Sequence, residues 1–305
     1  MNPQNNKSQK SQKSRSGGHA TKKPQPSLQD QLPELREGQS IELLKELHIL
    51  TRDGRLNQDT RRKLKQVYHL VQFIEPLLQT VLDDKGDVSL ADHGAGKSYL
   101  GFVLYDLFVR PQGKGWVYGV ETRQELVDKS RELAQRLGFD RMRFLATTVQ
   151  ASLTHADLPE TFDVVTALHA CDTATDDAIA FGLAKQARFM VLVPCCQAEV
   201  ASVMRQHKAF HLKRTPLAEL WRHPLHTREF GSQITNVMRC LQLEAHGYEV
   251  TVTELVGWEH SMKNELILAR HQPGAPEEKR RRARERLGEI IEEVGLRPLA
   301  DKFLA

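Results

Sequence analysis

Val88-Ser89-Leu90-Ala91-Asp92-His93-Gly94-Ala95-Gly96-Lys97-Ser98-Tyr99-Leu100 changes character twice. A short apolar run ends in an acid, a two-glycine bend follows, and an amphipathic run begins. These are the parts from which α/β proteins build a cradle for a small charged ligand. A strand ends in a tight turn, and the turn opens a helix whose first N–H groups have no partner within the helix.

Two occupants fit that cradle. Ala91-x-x-x-x-Gly96-Lys97-Ser98 matches a relaxed phosphate-binding loop, with Ala91 where the strict pattern has glycine. Lys97 would then neutralise phosphate charge and Ser98 would hold magnesium. Alternatively, Asp92-x-Gly94-x-Gly96 closes a first Rossmann-like strand. Gly94 and Gly96 then let the backbone approach an adenosyl cofactor, and Asp92 faces its positive end, either the amino group or ordered water near it. A carboxylate inside a phosphate cradle repels a triphosphate by a few kcal/mol at short range, roughly, in a middling dielectric. Downstream, Gly115-Trp116-Val117-Tyr118-Gly119-Val120-Glu121 reads as a second strand ending in an acid, the group that suits the two hydroxyls of a ribose. Tyr99 stands where a dinucleotide fingerprint would place its third glycine, which disfavours NAD and FAD. The residues therefore favour S-adenosylmethionine, with Thr148 and Val149 after a third strand as the adenine contacts.

From residue 88 onward, apolar runs alternate with helical patterns. Strands are expected at 88–91, 116–120, 142–146, 162–168 and 189–193. They are short and apolar throughout, as central parallel strands covered on both faces are. Gly138 reads as the C-cap of a helix that buries Leu126, Leu133, Ala134 and Leu137. A His-rich irregular insert spans 206–227, a helix covers 231–246, and two late strands at 248–254 and 265–270 form an edge hairpin. The fold class is α/β, a doubly wound, mostly parallel sheet with an N-terminal helical extension and a C-terminal helix.

Four divisions follow. Residues 1–30 form a polar, basic tail that cannot bury enough apolar surface to fold alone. Residues 31–83 are a helical extension, with helices at 41–50 and 60–82 and a kink at Pro76. Residues 84–272 form the cofactor-binding core, and 273–305 a charged helix. The chain has 305 residues with a net charge of +4, and the charge is uneven. Lys7, Lys10, Lys13, Arg15, Lys22 and Lys23 precede the first acid, a pattern that can hold a polyanion such as RNA by counterion release. Lys279-Arg280-Arg281-Arg282, Arg284 and Arg286 instead alternate with Glu277, Glu278, Glu285 and Glu289, as on a solvated helix face. No run approaches the roughly 18 apolar residues of a membrane span, and the N-terminus lacks a secretory apolar stretch. Four cysteines, two of them adjacent, make a poor disulfide framework, so a cytoplasmic location is expected.

Candidate catalytic residues follow the fourth and fifth strands: His169, Cys171 and Asp172, then Cys195 and Cys196. Several readings stay open. Cysteine and histidine can hold zinc, although this spacing is unlike common zinc patterns and no metal is assigned. A cysteine could attack a pyrimidine ring. His169 or Asp172 could orient or deprotonate an oxygen or nitrogen acceptor. The plain alternative makes the cysteines buried packers and Asp172 or Thr173 a helix cap, helped by Asp176 and Asp177.

Three segments taken together, Asp92-His93-Gly94-Ala95-Gly96-Lys97-Ser98-Tyr99-Leu100-Gly101, Leu168-His169-Ala170-Cys171-Asp172-Thr173-Ala174-Thr175-Asp176 and Val193-Pro194-Cys195-Cys196, resemble a known methyltransferase family. It is the Rossmann-like, class I domain shared by glutathione S-transferase C-terminal domain-containing protein, certain methyltransferase-like proteins and the tRNA acceptor-stem 2′-O-methyltransferase. The resemblance covers about 88–270. Ser98 replaces the third glycine of the family's loop, and the glycine between Cys171 and Asp172 is missing. The resemblance implies S-adenosylmethionine bound by Asp92, Gly94, Gly96 and Lys97 and leaves the acceptor open. The expected function is S-adenosylmethionine-dependent methylation, with RNA as acceptor at oxygen or nitrogen. A phosphate-loop ATP-binding protein and a non-catalytic RNA-binding protein are the alternatives, and the oligomeric state is left open.

Overall fold

Seven strands form one sheet in the order β3-β2-β1-β4-β5-β7-β6. Five of them, β1 (Ser89–His93), β2 (Trp116–Glu121), β3 (Met142–Ala146), β4 (Val164–Leu168) and β5 (Phe189–Val193), pair in parallel. β7 (Glu265–His271) runs antiparallel to β5, and β6 (Tyr248–Glu254) antiparallel to β7 at the edge. The doubly wound, mostly parallel sheet with a late edge hairpin expected from the sequence is therefore the observed one. The computed structural model describes residues 35–168, 172–194, 198–207, 215–255 and 265–304. The chain divides into the units Met1–Glu37 and Gly38–Ala305, and the sheet with its helices belongs to the second. Among the described residues, no helix is long and apolar enough to cross a membrane.

The strand order reverses at β1, which has β2 on one side and β4 on the other. Ligands of open α/β sheets bind outside the carboxyl ends of the strands at such a point. β1 extends past the apolar run to include Asp92 and His93. Asp92 pairs with Gly119 and Thr166, and His93 with Val120, so pairing with the neighbouring strands carries β1 through residues that hydrophobicity alone would assign to the loop.

Helix boundaries differ from the sequence reading where capping decides them. α1 (Ile41–Glu46) is capped by the Ser40 hydroxyl, which accepts from Leu43 N at 3.1 Å. It stops well short of residue 50 because His48 adopts a left-handed φ of 54°. α2 (Gln58–Lys85) starts in a reciprocal capping box between Asn57 and Thr60, runs through Pro76 and ends at Gly86. α3 (Tyr99–Leu104), a π turn (Tyr105–Val109) and α4 (Arg110–Gln112) follow the loop after β1. α5 (Gln124–Leu137) ends at Gly138 as the sequence implies. α6 (Val149–Leu153), α7 (Thr173–Ala184) and α8 (Glu199–His207) follow β3, β4 and β5. After a 3-10 turn (Pro216–Trp221), α9 (Pro224–Ala245) begins at Pro224, inside the stretch expected to be irregular. Proline at the first helical turn has the required φ preset and loses no needed N–H there. α10 (Glu277–Val294) and the short α11 (Ala300–Leu304) complete the chain.

Apolar clusters among the described residues hold these layers. Under the sheet, Tyr118, Phe162, Val165, Phe181, Met190, Leu243 and Ile267 pack together. A second cluster joins α8, α9, α10 and α11 through Met204, Met238, Leu287, Ile291 and Phe303. Ala283, Leu287, Ile291 and Val294 are the buried stripe of α10, spaced to share one helix face.

Candidate active site

The loop after β1 owes its shape to backbone that turns left-handed at Gly94 (φ 65°), Gly96 (φ 58°) and Ser98 (φ 49°). Glycine takes this conformation at little cost. At Ser98 it costs on the order of 1–2 kcal/mol. The Ser98 hydroxyl, buried, donates to Asp92 Oδ2 at 3.2 Å, an interaction that offsets part of the strain. Ser98 thus occupies the conformation that the third glycine of the related loop would serve. Its hydroxyl points inward to a carboxylate.

Asp92 lies beneath this loop. Its Oδ2 also accepts from Gly101 N at 3.3 Å, and its Oδ1 accepts from Thr166 Oγ1 at 3.2 Å. The residue is 2 % exposed. Burial pushes its carboxyl up to about 6, against the lowering effect of the three hydrogen bonds. These contacts hold the side chain at the start of α3, beneath the loop on which the sequence places the cofactor's amino end. Gly101 permits the close approach: a Cβ there would lie 2.5 Å from Ser98 Oγ and 3.2 Å from Asp92 Oδ2.

Glu121 ends β2 beside the loop. Its Oε2 accepts from Gly96 N at 2.8 Å, and its Oε1 accepts from Thr122 N at 3.0 Å and Arg123 N at 3.1 Å. The Arg123 side chain adds Nε to Oε1 at 3.0 Å and Nη2 to Oε2 at 3.3 Å. Burial works to raise the carboxyl's pKa, but Arg123 and the Gly96 N–H outweigh it and hold it at about 2. Thr147 N donates to the Glu121 carbonyl at 3.0 Å, which ties the end of β3 to the end of β2. Thr148 is the N-cap of α6, its Oγ1 accepting from Ala151 N at 3.3 Å, while Val149 packs into the core under the sheet. Gly94, Gly96, Glu121, Thr148 and Val149 therefore come together at one edge of the switch point. Lys97 stands exposed on the loop's outer side.

The opposite edge is built from the end of β4. Asp172 Oδ1 accepts from Ala198 N at 2.9 Å and Glu199 N at 3.0 Å, so its carboxylate caps α8. Asp172 occupies the N-cap position of α7 but makes no side-chain cap there, which corrects the plain reading of it as that helix's cap. Its backbone is unusual, with φ 53° and ψ −116°, and its carbonyl accepts from Arg239 Nη2 at 2.8 Å. Arg239 is fully buried and pairs through Nε with Asp176 Oδ1 at 2.6 Å. Asp176 is therefore an ion-pair partner and adds little to a helix terminus. His169, Cys171, Cys195 and Cys196 lie outside the described residues. Among the described residues, no three His, Cys, Asp or Glu side chains are grouped to hold a metal ion. Burial, with Glu265 and Glu244 nearby, pushes the Cys240 thiol up to about 12, which leaves it unreactive.

His93 was not singled out by its sequence position. It is 5 % exposed, lies 5.2 Å from the Phe181 ring, and neither ring nitrogen has a hydrogen-bond partner among the described residues. Burial pushes its pKa down to about 4, with Glu121 pulling the other way, so the ring is neutral at physiological pH. Arg123, Thr166 and Gly101 were also missed. Arg123, two residues after the strand-ending acid, had the only sequence-level signal.

The cradle fits an adenosyl ligand. Gly96 leaves its backbone open, with only Arg123 Nη2 among the described residues within 4 Å of a Cβ built there, and an ionised carboxylate stands beside it. Comparison with known proteins bears on the same segment. Residues 62–203 match a family model described as a methyltransferase domain. No curated protein matches the chain. Among solved structures, an rRNA methylase from Streptococcus thermophilus is 10 % identical, with a TM-score of 0.43, covering 66 % of this chain and 96 % of its own. A magnesium protoporphyrin IX methyltransferase from Synechocystis is 14 % identical, with a TM-score of 0.42, covering 76 % and 93 %. Between the first turns of α2 and the middle of α8, the chain carries an S-adenosylmethionine-dependent methyltransferase domain.

Proposed function

We propose that this enzyme methylates an oxygen or nitrogen atom of RNA. The observation that carries its cofactor half is the meeting of an ionised Glu121 with the Gly96 N–H, 2.8 Å apart, at the reversal point of the sheet. That arrangement supports Glu121 as the acceptor for ribose hydroxyls, Gly94 and Gly96 as the point of close backbone approach, and Thr148 and Val149 as the adenine side. Bound there, S-adenosylmethionine supplies an activated methyl group on a sulfonium. The protein's part is then mainly position, and holding the acceptor in attack geometry is worth about 7–11 kcal/mol. Asp172 and His169, at the end of β4, are the residues we assign to the acceptor side. A side chain that orients the acceptor or takes its proton adds about 10²–10⁴-fold. Cys171, Cys195 and Cys196 remain candidates for contact with the acceptor. RNA is favoured by the six basic residues that precede the first acid of the chain.

The test is incubation of the purified protein with methyl-labelled S-adenosylmethionine and separated pools of RNA, protein and small molecules. Label in the RNA pool is the expected result, and Asp172→Ala should reduce it at least tenfold. Label confined to protein or small molecules overturns the acceptor assignment. Salt-sensitive RNA binding with no label in any pool favours a non-catalytic RNA-binding protein instead.

A further inference from the structure

We propose that Arg123 is a displaceable cap on the ribose site, holding Glu121 before the cofactor arrives and yielding to it, so that this residue sets cofactor affinity. The proposal rests on the assignment of Glu121 to the ribose hydroxyls.

The argument begins with lone pairs. A carboxylate has about four acceptor sites. Glu121 receives more donors than that. Thr122 N, Thr122 Oγ1 (3.2 Å), Arg123 N and Arg123 Nε converge on Oε1, and Gly96 N and Arg123 Nη2 on Oε2. A ribose diol gripping the carboxylate brings one O–H to each oxygen, so donors must leave both. The backbone N–H groups are fixed. Arg123 O receives the first turn of α5 through Leu126 N at 3.1 Å, and Ala95 N is held on Val120 O at 3.1 Å. The Arg123 side chain is the donor that touches both oxygens and can move, because it is 62 % exposed. It also lies across Gly96, with Nη2 3.9 Å from the position of a built Cβ, on the bare backbone the cofactor needs to approach. One guanidinium thus covers both halves of the cradle. Only the Arg123 end of the pair is exposed, with Glu121 buried, so water can take over the guanidinium when the diol replaces it, and the pair can yield without blocking binding.

Calorimetry with S-adenosylhomocysteine tests this, because that ligand carries one ammonium and one carboxylate and no net charge. Arg123→Ala should bind it roughly two- to fivefold more tightly than the wild type, the range expected for releasing a pair exposed at one end. Arg123→Lys, a point charge that cannot span both oxygens, should fall between them. Raising the salt from about 0.05 to about 0.5 M should tighten the wild type toward Arg123→Ala and leave the variant nearly unchanged, because salt screens the pair. A merely structural arginine would not show that convergence. Glu121→Gln separates the two claims. If it binds as tightly as the wild type, the ribose assignment fails and the cap fails with it. If it binds weakly while Arg123→Ala shows no gain, or a loss, the cap alone is overturned and Arg123 is a cofactor contact instead.

Discussion

Asp92 works against the fold at neutral pH. Its carboxyl titrates at about 6 in the folded protein, above its ordinary 3.8, because burial disfavours the charge. Between those values the folded state holds a proton that the unfolded chain has lost, so this group's contribution to stability falls as pH rises from about 4 to about 6. A shift of that size corresponds to about 3 kcal/mol at neutral pH, as an order of magnitude. Glu121 has the opposite sign, since its folded pKa of about 2 lies below 4.5, and its contribution is lost only as pH falls through that lower window. Asp92→Asn should therefore lose the Asp92 slope. In urea denaturation, the wild type should gain stability on the variant between pH 7 and pH 4.5, whereas parallel curves would mean that Asp92 is not buried as a charge. Ser98 offers a second check at this scale. Ser98→Ala removes the hydrogen bond to Asp92 and keeps a side chain at φ 49°, while Ser98→Gly loses the bond but relieves the strain. The glycine variant should be more stable than the alanine variant by about 1 kcal/mol in the same assay. The loop's existence and its glycines were legible in the sequence because turn chemistry is local. The direction of Asp92 was not, because it depends on Thr166, a partner on another strand.

At the scale of elements, the sequence located the five parallel strands and the edge hairpin, whose apolar runs carry their own signal. It misjudged ends set by neighbours or caps. β1 continued through Asp92 and His93 because neighbouring strands pair with them, and α9 began at Pro224 within a His-rich run that has no apolar stripe. It also missed what joins α7 to α9. Arg239 and Asp176 are far apart in the chain, and Asp176 reads as a helper at a helix start, yet together they form a buried pair whose guanidinium also holds the Asp172 carbonyl. Removing Arg239 leaves the buried Asp176 carboxylate with the more distant Lys302 Nζ at 3.6 Å, so Arg239→Leu should cost about 3 kcal/mol, the low end for a broken buried pair. Replacing both, Arg239→Leu with Asp176→Leu, should recover much of that loss, since an apolar pair is often as stable as a buried ionic one. Chemical denaturation of the two single variants and the double variant measures the coupling, and additive losses would show that the two side chains do not depend on each other. Labelled methyl transfer by the double variant then asks a separate question. A stable protein with reduced transfer would mark Arg239 as a positioning residue for the end of β4.

Across the whole molecule, charge is divided between a part already engaged and a part that is not matched by nearby acids in sequence. On α10 the basic run pairs with its own glutamates: Arg280 with Glu277 at 3.1 Å, Arg282 with Glu278 at 3.2 Å, and Arg281 with both Glu278 and Glu285. These pairs lie on the outer face of a helix whose inner face is apolar, so the run reads as a solvated surface, and its high count of arginines overstates its attraction for a polyanion. The basic residues before the first acid have no such counterweight in sequence. If RNA is the acceptor, its salt dependence should therefore come chiefly from them. Every phosphate left without its cation lowers the slope of log affinity against log salt by about 0.7–0.9. Changing Lys7, Lys10, Lys13, Arg15, Lys22 and Lys23 together to alanine in the full chain should weaken binding to structured RNA and flatten that slope by several units, while affinity for S-adenosylhomocysteine stays the same. Reversing Arg281 and Arg282 to glutamate should change the slope far less, although it also breaks their pairs with Glu278 and Glu285 and should lower helix stability slightly. Equal slopes in the wild type and the alanine variant would remove the N-terminal residues from the interface and return the question of RNA to the rest of the chain.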